Sequence, residues 1–119
     1  MNDQKLRGAL SLLEAALDEC DADLANPLRQ AALAKAFESS FEYLWKCLKR
    51  EANQAGMEAY SPRDALRAAA ELRIIDDLEL WLEFLNARNL SVHDYVGMDD
   101  ASVMQVVHRF RDELGQLLD

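Results

Sequence analysis

Leu6, Leu10, Leu13 and Leu17 follow one another at intervals of four, three and four, which lays a single apolar stripe along a first helix. The stripe breaks over 21–26. There Asn26-Pro27 has the form of a helix cap followed by a proline in the first turn, where the missing N–H has no partner to lose. Leu33, Phe37, Phe41, Leu44 and Leu48 then line a second helix to about Asn53, with Glu38, Glu42, Lys46 and Lys49 on its other sides. A helix of that extent is ~40 Å long, enough to be the spine of a bundle. Gly56 ends it. Ser61-Pro62-Arg63-Asp64 opens a third helix over roughly 62–72 with a cap, a proline and an acid in the first turn. This helix is short and rich in alanine, so neighbours can approach it closely.

A fourth helix starts near Asp76 and turns Leu78, Trp81, Leu82 and Leu85 inward. A last one, capped by Asp99 or Asp100, is striped by Val103, Val106, Val107, Phe110, Leu114 and Leu117. No alternating strand pattern, internal repeat or low-complexity tract interrupts this series. The pattern predicts an all-α protein, a five-helix up-and-down bundle in a single domain over 1–119.

Composition sharpens this reading. Half of the 119 residues are apolar, with four glycines and two prolines, so helix breakers are scarce. No run approaches the ~20 apolar residues of a membrane span. The opening MNDQKLRGAL lacks the apolar stretch of a signal peptide, so no membrane association and a cytoplasmic setting are expected. Cys20 and Cys47 lie in helical patterns without CxxC spacing or a Cys/His cluster, which favours reduced thiols.

The net charge of −9 opposes a nonspecific grip on phosphates. The charge is uneven, however. Residues 1–27 carry two bases and six acids, 28–73 eight bases and six acids, and 74–119 three bases and ten acids. A polyanion would meet the middle segment most easily, and Lys46, Lys49 and Arg50 give that segment a basic edge.

The chemistry concentrates between Arg88 and Tyr95, where polar groups replace the apolar stripe of the fourth helix. In a continuing helix Asn89 and His93 share a face, with Arg88 to one side and Tyr95 beyond the helix end. Taken alone, the spacing admits a structural role: Arg88 paired with an acid, His93 half-buried, Tyr95 packed. It also admits a site. Asp94 could tune His93 or cap the helix. His108 reads as a surface or interface histidine, Trp45 and Trp81 as core, and Asp76-Asp77 and Asp99-Asp100 as caps rather than metal ligands. There is no glycine-rich phosphate loop, metal-ligand spacing or serine nucleophile elbow, and neither cofactor nor metal is expected.

Arg88–His93 followed by Tyr95 resembles the R-x4-H-x-Y motif of HEPN ribonucleases, including the asparagine after the arginine. Phe41-Glu42-Tyr43-Leu44-Trp45-Lys46 resembles the aromatic helix signature of the HepT-like family. Ser61-Pro62-Arg63 and Ile75-Asp76-Asp77 through Trp81 fall in the same order, so the likeness spans about 5–118.

This resemblance implies a partner, a minimal nucleotidyltransferase encoded nearby, and two alternative roles. One is an RNA-cleaving toxin with Arg88, Asn89 and His93 as catalytic residues, silenced when the transferase adenylylates Tyr95. The other is a noncatalytic subunit that presents substrate to the transferase. RNA cleavage needs a base, an acid and a cation for the phosphorane, and one chain brings one motif histidine, so a symmetric homodimer is the mechanistic expectation.

Overall fold

The computed structural model describes residues 1, 3–23, 25–93 and 101–119; for 91–93 and 101–102 it describes the backbone alone. The described residues form five α-helices and no strand: α1 (Gln4–Ala22), α2 (Pro27–Gln54), α3 (Pro62–Glu71), α4 (Leu78–His93) and α5 (Ala101–Leu118). The chain is the all-α bundle expected. It measures 46 × 24 × 20 Å, the long dimension following α2.

Side chains set the helix starts. Asp3 accepts from the Leu6 N–H at 2.9 Å, and Asn26 accepts from Leu28 and Arg29 at 2.9 and 3.2 Å with Pro27 as the first residue of α2. Ser61 accepts from the Asp64 N–H at 3.1 Å. Asp77 accepts from Leu80 at 3.2 Å, so this aspartate is a cap, as its sequence context suggests. Gly56 stops α2 in the left-handed region, at φ +80°, where a β-carbon would be strained. The Asp99 and Asp100 caps expected for α5 lie outside the described residues.

Helix α2 is the spine. It packs against α1, α3 and α4, while α5 closes the far side against α1 and α4. The core is knit by five aromatic rings. Phe110 of α5 lies 5.1 Å from Phe37, 5.8 Å from Phe41, 5.4 Å from Phe84 and 6.2 Å from Trp81, mostly edge to face. Ala65, Ala68 and Ala69 bring the short α3 close to α2, the approach its composition allows.

Two stripes differ from expectation. In α4 the buried positions are Trp81, Phe84 and Leu85, with Leu78 and Leu82 only partly covered. Apolar residues cover more than half the circumference of this helix, with Glu79, Glu83 and Asn86 on its exposed side, so periodicity alone does not say which of them face inward. In α5, Met104 and Leu118 are buried while Val103, Val106 and Leu117 sit at the margin, because Phe110 and Leu114 centre the contact. Cys20 and Cys47 are buried free thiols. No helix among the described residues is long and apolar enough to cross a membrane.

Candidate functional site

Arg88 sits in the polar end of α4, where the helix leaves the aromatic core and lies against the middle of α2. Its stem is mostly covered and its guanidinium carbon stands 6.0 Å from the centre of the Phe41 ring. Two of its nitrogens are directed. Nη2 donates to Glu42 Oε2 at 3.0 Å across 46 residues of sequence, and Nη1 donates to Asn89 Oδ1 at 3.1 Å. The fork is therefore held in a fixed plane, the condition for presenting paired donors to a phosphate.

Glu42 is the hub of this arrangement. Besides Arg88 it accepts from Trp45 Nε1 at 2.9 Å and pairs with Lys46 Nζ at 3.2 Å through its other oxygen. Partial burial pushes its carboxyl up. The hydrogen bonds from Trp45 and Lys46 and the charges of Lys46 and Arg88 outweigh that, holding it below the usual carboxylate range. The aromatic signature on α2 and the arginine on α4 are thus two halves of one polar cluster.

Around them opens a cleft of about 330 Å³ lined by Lys35, Glu38, Ser39, Glu42, Tyr43, Lys46 and Arg88. Three cations face two carboxylates, a locally positive balance on a chain of net charge −9. The cleft adjoins, through Lys35 and Ser39, a larger apolar groove of about 500 Å³ between α1 and α2. Leu12 and Leu28 stand on the walls of that groove, 61% and 82% exposed.

Of the expected site residues, Arg88 and Asn89 are joined directly. His93 is the last residue of α4, about 7.5 Å further along the axis than Arg88, with its backbone on the Asn89 face of the helix. Tyr95 and Asp94 lie outside the described residues. The acid that Arg88 pairs with is Glu42, so the structural role admitted for this arginine is real, and it orients the side chain at the cleft rather than removing it.

Glu42 as partner, and Glu38, Tyr43 and Lys35 as lining, do not emerge from the motif. The local part of the signal was present, since Glu42, Trp45 and Lys46 are three and four apart on one helix. The basic edge divides: Lys46 turns to Glu42, whereas Arg50 turns to Asp3 at 2.8 Å and to Cys47 Sγ at 3.1 Å. His108 on α5 pairs with Asp21 on α1 at 3.1 Å and accepts a weaker contact from Arg111, far from this cluster. Trp81 is core, and Trp45 is half-buried with its N–H on Glu42.

A crystal structure of a protein from Thermus thermophilus superposes on this chain with a TM-score of 0.74 at 26% identity, covering 96% of this chain and 99% of that one. A search of curated proteins gives no match. A family model matches residues 2–119, nearly the whole sequence and every element of the cluster. This chain belongs to the family described as nucleotidyltransferase substrate binding protein like.

Proposed function

We propose that the protein is a HEPN-type endoribonuclease toxin that cuts RNA without a metal and is held silent by a partner nucleotidyltransferase. The observation that carries the reading is the Arg88 guanidinium, fixed by Glu42 and Asn89 at the wall of a positively balanced cleft and borne on the same helix as His93. In the step envisaged, His93 of one chain takes the proton of a 2′-hydroxyl and the 2′-oxygen attacks phosphorus. The 5′-oxygen leaves with a proton supplied by the His93 of a second copy, giving a 2′,3′-cyclic phosphate and a 5′-hydroxyl. Arg88 stabilises the charge that gathers on the phosphorane oxygens.

A homodimer supplies the second histidine. The apolar groove bordering the cleft, with its exposed Leu12 and Leu28, gives a second copy a surface to cover. Tyr95 follows His93 by two positions. Transfer of AMP to its phenol would place bulk and negative charge where the substrate phosphate belongs.

The test is cleavage of RNA by purified protein in EDTA, with the cyclic phosphate identified by mass spectrometry. Arg88→Ala and His93→Ala should each abolish cutting while leaving the helical circular dichroism intact. Intact RNA with wild-type protein sinks the reading.

A second reading has its own support. The family is described by substrate binding for a nucleotidyltransferase, and a chain of net charge −9 is poorly suited to gripping RNA broadly. In that case the same cleft would present a substrate to the transferase without cutting it. Tight association with the transferase and no cleavage of any cellular RNA would favour this alternative.

A further inference from the structure

Two residues of the cleft are of a kind that a bare phosphate would leave unused. Tyr43 is a large aromatic on α2 that remains 42% exposed, and it lines the cleft beside Glu42 and Arg88. Glu38, one turn earlier on α2, lines the same cleft, and its Oε1 is shielded from solvent with no hydrogen-bond donor among the described residues. A buried acceptor left unsatisfied is unfavourable in the free protein and is the sort of group that a ligand's donor completes. The terminal torsion of a glutamate is soft, so either oxygen can turn toward such a donor. Lys35 stands exposed at the rim, another turn toward the start of α2. A flat ring, an unmet acceptor and a rim cation within three turns of one helix match the three parts of a nucleotide: base, hydroxyl and phosphate.

We propose that this cleft is a subsite for one unpaired nucleotide of single-stranded RNA. Tyr43 stacks on the base, Glu38 accepts from the ribose 2′-hydroxyl, and Lys35 neutralises the neighbouring phosphate. The ligand class rests on the RNA-cleaving reading above. The subsite itself rests on Tyr43 and Glu38, which that reading does not use. Stacking tolerates any base, so the subsite distinguishes single strands from duplexes, whose bases are already stacked, and RNA from DNA through Glu38.

Fluorescence anisotropy with a labelled mixed-sequence 12-mer tests this, using the full chain with His93→Ala to keep the RNA whole. Adding Tyr43→Ala should weaken binding of the single strand about 5- to 100-fold, Tyr43→Trp should restore it, and binding of the duplex form should not change. Adding Glu38→Ala should cut the preference for RNA over the matching DNA about tenfold, since any gain from losing the carboxylate's charge falls on both strands alike. Both positions lie on a helix surface, and unchanged circular dichroism excludes unfolding as the cause.

Wild-type-like RNA binding by Tyr43→Ala overturns the subsite while leaving the ribonuclease reading in place. Tyr43-dependent binding of RNA that the wild-type protein never cuts keeps the subsite and removes the ribonuclease. Failure to bind any single-stranded RNA overturns both.

Discussion

Arg88 Nη2 donates to Glu42 Oε2 at 3.0 Å, so the polar end of α4 is tied to the midpoint of α2 by a pair whose side chains are only 23% and 38% exposed. Its worth should lie between that of a free surface pair and a fully buried one. A double-mutant cycle with Glu42→Gln and Arg88→Met, read by urea unfolding, should give a coupling of about 1 kcal/mol. A coupling near zero would mean that the two groups hold water as readily as each other.

The same carboxyl makes stability depend on acid. Glu42 is depressed in the folded protein, so its contribution is complete above the ordinary carboxylate pKa and fades as pH falls through the lower folded value. The stability difference between wild type and Glu42→Gln should be flat from neutral pH to about 5 and shrink below that. A difference that grows on acidification would contradict the assignment.

Phe110 is the ring on which the core converges, and it is fully buried. Phe110→Ala removes contacts to four other aromatic rings at once and should lower stability by about 3–5 kcal/mol in chemical denaturation. Phe110→Leu should lower it by clearly less, because volume is largely kept.

Cys47 offers a chemical probe of the α1–α2 seam. Burial, then the neighbouring Asp3 carboxylate, pushes its thiol up to about 11, so little thiolate exists at neutral pH. Iodoacetamide at pH 8 should leave Cys47 unmodified for hours in the native protein and label it within minutes in denaturant. Asp3→Asn, which also removes the partner of Arg50, should speed native labelling.

Gly56 ends α2 at φ +80°, with nothing within 4 Å of the position a β-carbon would take, so strain rather than collision governs substitution there. Gly56→Ala should lower stability by about 1 kcal/mol, and Gly56→Asn by less, since asparagine tolerates that backbone region. Thermal unfolding of the two variants side by side separates these cases.

Much of the fold is legible in the sequence because its signals are local. Leu6, Leu13 and Leu17, or Leu33, Phe37, Phe41 and Leu44, declare their inner faces at helical spacing, and Asn26-Pro27, Gly56 and Ser61-Pro62 mark the ends. Phe84 is not legible as core, since apolar residues cover more than half of its helix and packing against Phe110 and Trp81 selects among them. The site follows the same division. Arg88, Asn89 and His93 stand out as a polar interruption, and Glu42 with Trp45 and Lys46 forms a readable local set. That Glu42 meets Arg88 is decided by how α2 and α4 cross, information spread over the whole core. Tyr43 falls inside the aromatic signature and Glu38 on the polar side of the same helix, but that both line one cleft is hidden for a related reason: an acid or a tyrosine on a helix surface looks ordinary until its neighbours are known.

The helices α1, α2, α4 and α5 touch in a closed circuit, because α5 returns to α1, where Arg7 donates to the Leu118 carbonyl and Asp21 meets His108. The bundle is therefore circular in its contacts although linear in its bonds, and no covalent junction is privileged. A chain with residue 118 joined to residue 3 through a short flexible linker, and opened in the turn after Gln54, should regain the same bundle. Its two new ends would leave from the turn joining α2 and α3, a second exit from which to tether a cargo.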